Sequence, residues 1–253
     1  MIKYRAKESE WGCFMENYYK IADLLVKMDS FGRTEVQGKP YLTEPGEADV
    51  EILSRGEAMH RKYPELSLDD CEYISTGGSF YRQLLRFEGM MLHASAVVVD
   101  GKAYLFSADS GTGKSTHTGL WLKCFGEKAY LLNDDKPALR RVDGVWYAYG
   151  TPWSGKHDLS RNIRAELGGI CCLERGEKNV IGPLAGTEAI FKLLSQTVRP
   201  AGQAGPELRG RVLELLDLLI REAPLWKMAC NMDPEAAMVA YEAMAGKKGM
   251  EIC

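Results

Sequence analysis

The stretch Asp109-Ser110-Gly111-Thr112-Gly113-Lys114-Ser115 constrains this chain more than any other. Two glycines that let a backbone bend tightly precede a lysine and a hydroxyl residue, the pattern of a loop that wraps phosphate. Such a loop works only between a strand and a helix N-terminus, because its N–H groups and the helix dipole must converge on one anion. The flanks meet that demand. Ala94 to Val99 is apolar and β-branched, Asp100-Gly101 is a tight-turn pair, and Lys102 to Ser107 reads as the returning strand. Thr116 to Phe125 follows as a helix closing at Gly126. Ser110 to Thr116 are therefore expected to hold a nucleotide's phosphates, with Lys114 between the β- and γ-phosphates and the Ser115 hydroxyl on Mg²⁺. One position departs from Gly-x-x-x-x-Gly-Lys-[Ser/Thr]: Ala108 stands in place of the first glycine.

The rest of the second half is regular. Ala129 to Leu132 is a strand ending in Asn133-Asp134-Asp135, and Leu139 to Val142 with Val145 to Tyr149 form a second hairpin around Asp143-Gly144. Gly168 to Leu173 reads as a buried strand, Thr187 to Thr197 as a helix, and Leu225 to Cys230 as a strand. Glu207 to Glu222 is an amphipathic helix whose core stripe is expected at Leu213, Leu216, Leu219 and Ile220. A last helix opens at Asp233-Pro234 and runs to about Ala245. Before Phe87 the chain has only short β-like runs, Tyr18 to Val26 and Ala48 to Leu53, broken by turn-rich stretches. The expected fold is α/β (α+β): a β-rich N-terminal lobe over residues 1–87 and a core over 88–253, with a mixed sheet flanked by helices.

The acidic pair gives the loop its chemistry. Mg²⁺ prefers hard oxygen ligands, so one of Asp134 and Asp135 can hold the metal while the other takes a proton from an attacking hydroxyl. His93 stands just before the first strand of the hairpin.

Leu92-His93-Ala94-Ser95-Ala96, the hairpin, Ser110 to Thr116 and Asn133-Asp134-Asp135 together resemble the nucleotide site shared by HPr kinase/phosphorylase and phosphoenolpyruvate carboxykinase. The resemblance covers Leu92 to Asp135 and continues more weakly to the C-terminus. It implies a mixed-sheet P-loop core, a nucleotide such as ATP, Mg²⁺ or Mn²⁺, and a homo-oligomer. It also implies that His93 sits beside the metal and the γ-phosphate, and that Asp134 and Asp135 divide metal binding and base between them, with Asp135 the base. Lys136-Pro137 do not continue the carboxykinase motif and that family's substrate arginines have no counterpart. The N-terminal lobe does not match the HPr enzyme, so that enzyme's protein substrate is not carried over.

The acceptor side is less marked. Gly150 to Asp158 is turn-rich, with Trp153 as either a flat wall for a ligand or a core anchor. Lys156 and Arg161 could hold phosphate or an acidic acceptor, and Arg199, after a helix, could cap carbonyls or face the nucleotide. The chain of 253 residues carries a net charge of -3 without a long basic stripe, which argues against nucleic acid as a partner. No apolar run approaches the roughly 18 residues that span a bilayer. The N-terminal residues lead into no signal core, so a cytoplasmic protein that does not bind membranes is expected. The seven cysteines form no Cys-x-x-Cys, and Cys171-Cys172 sit in the buried strand as reduced thiols. The expectation is a metal-dependent kinase that moves the γ-phosphoryl group of ATP to a hydroxyl on a peptide, protein or small molecule. The alternatives are a nucleotide-binding regulatory module without transfer, and a carboxykinase or phosphorylase activity.

Overall fold

The structure is a computed structural model that describes residues 7–9, 12–14, 16–197 and 206–246. Arg199 lies outside the described residues. A two-stranded ribbon, β1 (Lys7–Ser9) and β2 (Gly12–Phe14), precedes a three-stranded sheet of β3 (Glu16–Ile21), β4 (Leu24–Asp29) and β5 (Val50–Ile52). The run from Tyr18 to Val26 is thus a hairpin and not one strand. It turns at Ala22-Asp23, both with positive φ, and no glycine marks the place.

Beside this small sheet stand three helices that local pattern did not announce: α1 (Gly32–Gly38), α2 (Gly56–Lys62) and α3 (Leu68–Leu84). α3 starts well, with Ser67 accepting the Asp70 N–H as an N-cap and Asp69 and Asp70 in the first turn. Its middle, Ser75-Thr76-Gly77-Gly78-Ser79, has the composition of a loop. Burial of Tyr73, Phe80, Tyr81 and Leu84 holds it helical against that propensity.

The main sheet follows: β6 (Gly89–Met91), β7 (Ala94–Val99), β8 (Lys102–Ser107), β9 (Ala129–Asn133), β10 (Ala138–Val142), β11 (Val145–Tyr149), β12 (Arg164–Arg175), β13 (Val180–Pro183) and β14 (Leu225–Cys230). Their order is β6-β10-β11-β12-β8-β7-β9, with β14 beside the far half of β12 and β13 outside it. β12 is parallel to β8 and β14, and the other pairings are antiparallel, so the sheet is mixed. Both Asp-Gly turns have positive φ at both positions.

Strand alternation divides the core in two. Ala96, Val98 and Leu105 face α5 (Gly186–Gln196) and α6 (Pro206–Glu222), while Val97, Val99 and Phe106 face α4 (Lys114–Phe125) and α7 (Glu235–Ala245). Cys171 and Cys172, adjacent on β12, are buried on opposite faces. On α6 the buried stripe is Val212, Leu215, Leu216 and Leu219, while Leu213 is 50% exposed. Leu216 and Leu219 fit either stripe, but Leu213 sits one residue, about 100° of helix, off the buried face.

A third cluster joins the small sheet and α3 to Ala138, Tyr149 and Trp153, and so runs across the boundary expected at Phe87. Among the described residues no helix is long and apolar enough to cross a membrane.

Candidate active site at the phosphate loop

The loop after β8 turns at Gly111 (φ +77°) and Gly113 (φ +119°), and α4 begins at Lys114. A Cβ at either glycine would meet nothing, so backbone conformation alone requires them. Ala108 is not among the positive-φ residues, which is why alanine serves where the motif has glycine. Lys114 is buried, and its Nζ donates to the Ala108 carbonyl at 2.9 Å. Burial pushes the Lys114 pKa down, against the opposing pull of Asp135, Asp134 and Asp109.

The acidic pair reaches this loop by an indirect route. β9 is not the neighbour of β8, because β7 lies between them. β7 is antiparallel to both, with Ala94 opposite Ser107 and Ala96 opposite Asn133. The start of β7, the end of β8 and the end of β9 therefore meet at one edge, and they carry His93, the phosphate loop and Asp134-Asp135.

Asn133 aims the pair. It is fully buried, its Oδ1 accepts the N–H groups of Asp135 at 3.0 Å and Lys136 at 2.8 Å, and its Nδ2 donates to the Thr151 carbonyl at 3.0 Å. The two carboxylates then diverge. Asp134 accepts from Ser115 Oγ at 3.1 Å and from Ser95 Oγ at 2.7 Å. Asp135 faces His93 Nε2 at 3.4 Å and bonds Lys136 Nζ. Burial raises the Asp135 pKa, but the contacts with His93 and Lys136 outweigh it and hold the carboxyl below its ordinary value.

His93 is held from behind. Gln196 Nε2 donates to Asp109 Oδ1 at 3.0 Å, which turns its Oε1 toward His93 Nδ1, also at 3.0 Å. Nδ1 then carries a hydrogen, and with the ring as imidazolium Nε2 donates to Asp135. The His93 N–H donates to the Gln196 carbonyl at 2.7 Å.

Ser110, Gly111, Gly113, Lys114, Ser115 and Thr116 line a cavity of about 380 Å³. His93, Asp134, Asp135 and the exposed Lys156 line it too. Thr112 lies on the next cavity along the loop. Arg161 is elsewhere, its guanidinium 4.9 Å from the centroid of the Tyr130 ring. Trp153 is fully buried and stacks on Phe80 at 5.0 Å. Ser95 and Asn133 stand in the stretches that carry the resemblance but had no role assigned, and Gln196 and Lys136 lie outside them, because each acts by orienting a neighbour. Asn133 and Lys136 carried a signal in their place on either side of the acidic pair, and Gln196 carried none.

The donor set fits a divalent cation. The Ser115 hydroxyl and the Asp134 carboxylate are hard oxygens that face each other at the mouth of the loop. A second cavity of about 430 Å³ opens on the other side of the loop, lined by Thr116, Leu120, Leu173, Arg175, Asn231 and Met232. Arg175 also donates to the Gly111 carbonyl at 2.7 Å.

No family model matches the chain, and no curated protein matches it. Among solved structures it is similar to the HPr(Ser) kinase/phosphatase from Coxiella burnetii, with 16% identity over 63% of this chain and 99% of that one, at a TM-score of 0.37. So distant a likeness carries no argument about activity, and the residues themselves must carry it.

Proposed function

We propose that this chain is a phosphotransferase that moves the γ-phosphoryl group of ATP, or a close relative of ATP, to a hydroxyl group. The observation that carries this reading is the division of labour in the acidic pair. One carboxylate faces the loop serine and the other faces a histidine, within one cavity of about 380 Å³.

The N–H groups of Ser110 to Thr116 would cradle the phosphates, and the nucleoside would lie in the cavity that Leu120 and Met232 border. Ser115 and Asp134 would hold Mg²⁺ or Mn²⁺, which supplies charge neutralisation on the phosphate oxygens. Asp135 is the base: an ionised carboxylate beside His93 in the phosphate cavity, it would accept the hydroxyl proton as the new bond to phosphorus forms. As the acceptor oxygen bonds to the γ-phosphorus, the bond to the bridging oxygen of ADP breaks and its electron pair leaves with ADP. Lys114 stands at the phosphates to offset the spreading charge. The products are a phosphomonoester, ADP and one proton, which Asp135 returns to solvent. His93 keeps Asp135 oriented, and Lys156, on the same cavity, would pair with an equatorial oxygen.

The test is label transfer. Purified protein, γ-labelled ATP and Mg²⁺ are mixed with a cell extract divided into metabolites and polypeptides, with Asp135→Asn alongside. Label entering one fraction with the unmodified protein alone is the expected result. Label that stays on ATP in both fractions, although ATP binds, replaces this reading with a nucleotide-binding regulatory module.

A further inference from the structure

A third cavity adjoins the base, and the proposed phosphotransfer leaves it unused. It measures about 480 Å³ and lies between α3, the Trp153 loop and the end of α5. Its walls are Tyr73, Ile74, Tyr81, Met91 and Trp153, with Gly77 and Gly78 on the α3 side. His93 lines both this cavity and the phosphate cavity, and Lys136, bonded to Asp135, lines it as well.

The polar atoms of its aromatic side chains are already engaged. The Gly155 N–H donates to Tyr73 Oη at 3.0 Å, Tyr81 Oη donates to the Lys136 carbonyl, and Trp153 Nε1 donates to Thr76 Oγ1 at 3.3 Å. What remains for a ligand is mainly ring face and aliphatic surface, beside the polar side chains of Ser195, Gln196 and Thr197. Among the described residues Lys136 is the one lysine or arginine on the lining and no carboxylate lines it, while the Lys136 ammonium is bound to Asp135. A charged ligand would find no counter-charge to replace its water.

The glycine pair points the same way. Two glycines inside a helix cost on the order of 1 kcal/mol each relative to alanine, so their presence needs a reason. At Gly77 the reason is contact, since a Cβ there would come 2.8 Å from the Trp153 ring. At Gly78 a Cβ would meet only the movable end of Arg82, at 3.2 Å. Packing does not demand that glycine, but it keeps the cavity open.

We propose that this cavity is the acceptor site, and that it takes a small uncharged alcohol with an aromatic or branched apolar body, hydroxyl turned toward His93 and Asp135. The volume is that of a small-molecule site and not of a protein-docking surface. The inference rests on the phosphotransferase reading and narrows it: the oxygen that attacks the γ-phosphorus enters from the α3 side, opposite the nucleoside cavity.

The test uses 2-phenylethanol as the probe, with glycerol and glycerate as polar and charged comparison alcohols, in the full chain and in Gly78→Leu. Leucine suits a helix better than glycine, so the variant is expected to fold, and an unfolding curve checks it. Ligand-observed NMR should detect 2-phenylethanol binding to the unmodified protein, at least tenfold weaker in Gly78→Leu. Label from γ-labelled ATP should pass to 2-phenylethanol at least tenfold faster than to glycerate, and this transfer should vanish in Gly78→Leu. Nucleotide binding and acceptor-free ATP hydrolysis should be equal in the two proteins. Preference for glycerate or glycerol, or undiminished transfer in Gly78→Leu, overturns the acceptor site while leaving the phosphotransferase reading intact. ATP turnover without transfer to any of the alcohols does the same. An unmodified protein that neither hydrolyses ATP nor transfers label overturns both.

Discussion

The two sides of the proposed active site are built in opposite ways. The phosphate side comes mainly from one stretch of chain, His93 to Asp135, and consists of backbone N–H groups, short polar side chains and Lys114, with Lys156 added from a later loop. The acceptor side gathers Tyr73, Trp153 and Gln196 from three distant segments and is walled by aromatic rings. Phosphate is bound by fixed dipoles, which a turn and a helix end supply locally. An apolar cavity needs walls facing one another, and only tertiary packing provides them. The teaching of the contrast is that substitution should cost turnover on one side and folding on the other.

The largest expected effect is Trp153→Ala. The ring is fully buried against Phe80 and Tyr81, so its loss should destabilise the protein by about 3–5 kcal/mol, read from denaturant unfolding. A change below about 1 kcal/mol would mean that the aromatic cluster does not hold the acceptor side together. Lys114→Ala and Asp135→Asn should each lower transfer by a factor on the order of 10² or more, with no loss of folding stability. Near-normal turnover in either would remove its assigned role and with it the contrast.

Gln196→Ala straddles the two sides. Loss of its hydrogen bond to His93 should lower kcat by roughly tenfold with KM for ATP unchanged. Since the His93 contact helps hold the Asp135 pKa down, the acid limb of the rate profile should move to higher pH. An unmoved limb would reduce Gln196 to a packing residue.

The smallest effect is a slope. Glu72 on α3 is fully buried; Oε2 accepts from Thr34 and Oε1 has no partner among the described residues. Burial, only partly offset by the Thr34 bond and the Phe31 backbone, raises its pKa to about 7. The folded state then holds a proton that the unfolded chain releases above its ordinary value of 4.5. That stability is fully present below 4.5 and is lost as pH rises toward 7, by at most about 1.4 kcal/mol per pH unit. Glu72→Gln should flatten this slope, and parallel stability profiles would show that Glu72 does not titrate there.

Legibility in the sequence follows the same division. The hairpins, the loop, α4 and the acidic strand end could be read because Asp-Gly turns, alternation and a glycine-rich loop are local signals. α3 could not, because its Ser75 to Ser79 stretch has the propensity of a loop and is helical only through what it buries. The Ala22-Asp23 turn hid for want of a glycine. Leu213 went to the wrong face because a run of leucines satisfies two helical stripes at once. Gln196 had no signal, since it lies 103 residues from the histidine it orients.

By itself, then, the sequence determined the chemistry available at the phosphate loop: Gly111 and Gly113 for the backbone, Lys114 and Ser115 after them, and two carboxylates at a strand end. Only the tertiary structure decided which carboxylate faces the serine and which the histidine, because the insertion of β7 between β8 and β9 sets that geometry. It alone decided that α3 and Trp153 enclose a cavity beside the base. Motifs encode what a few consecutive residues can do, and a cavity is a property of surfaces that meet only once the chain has folded.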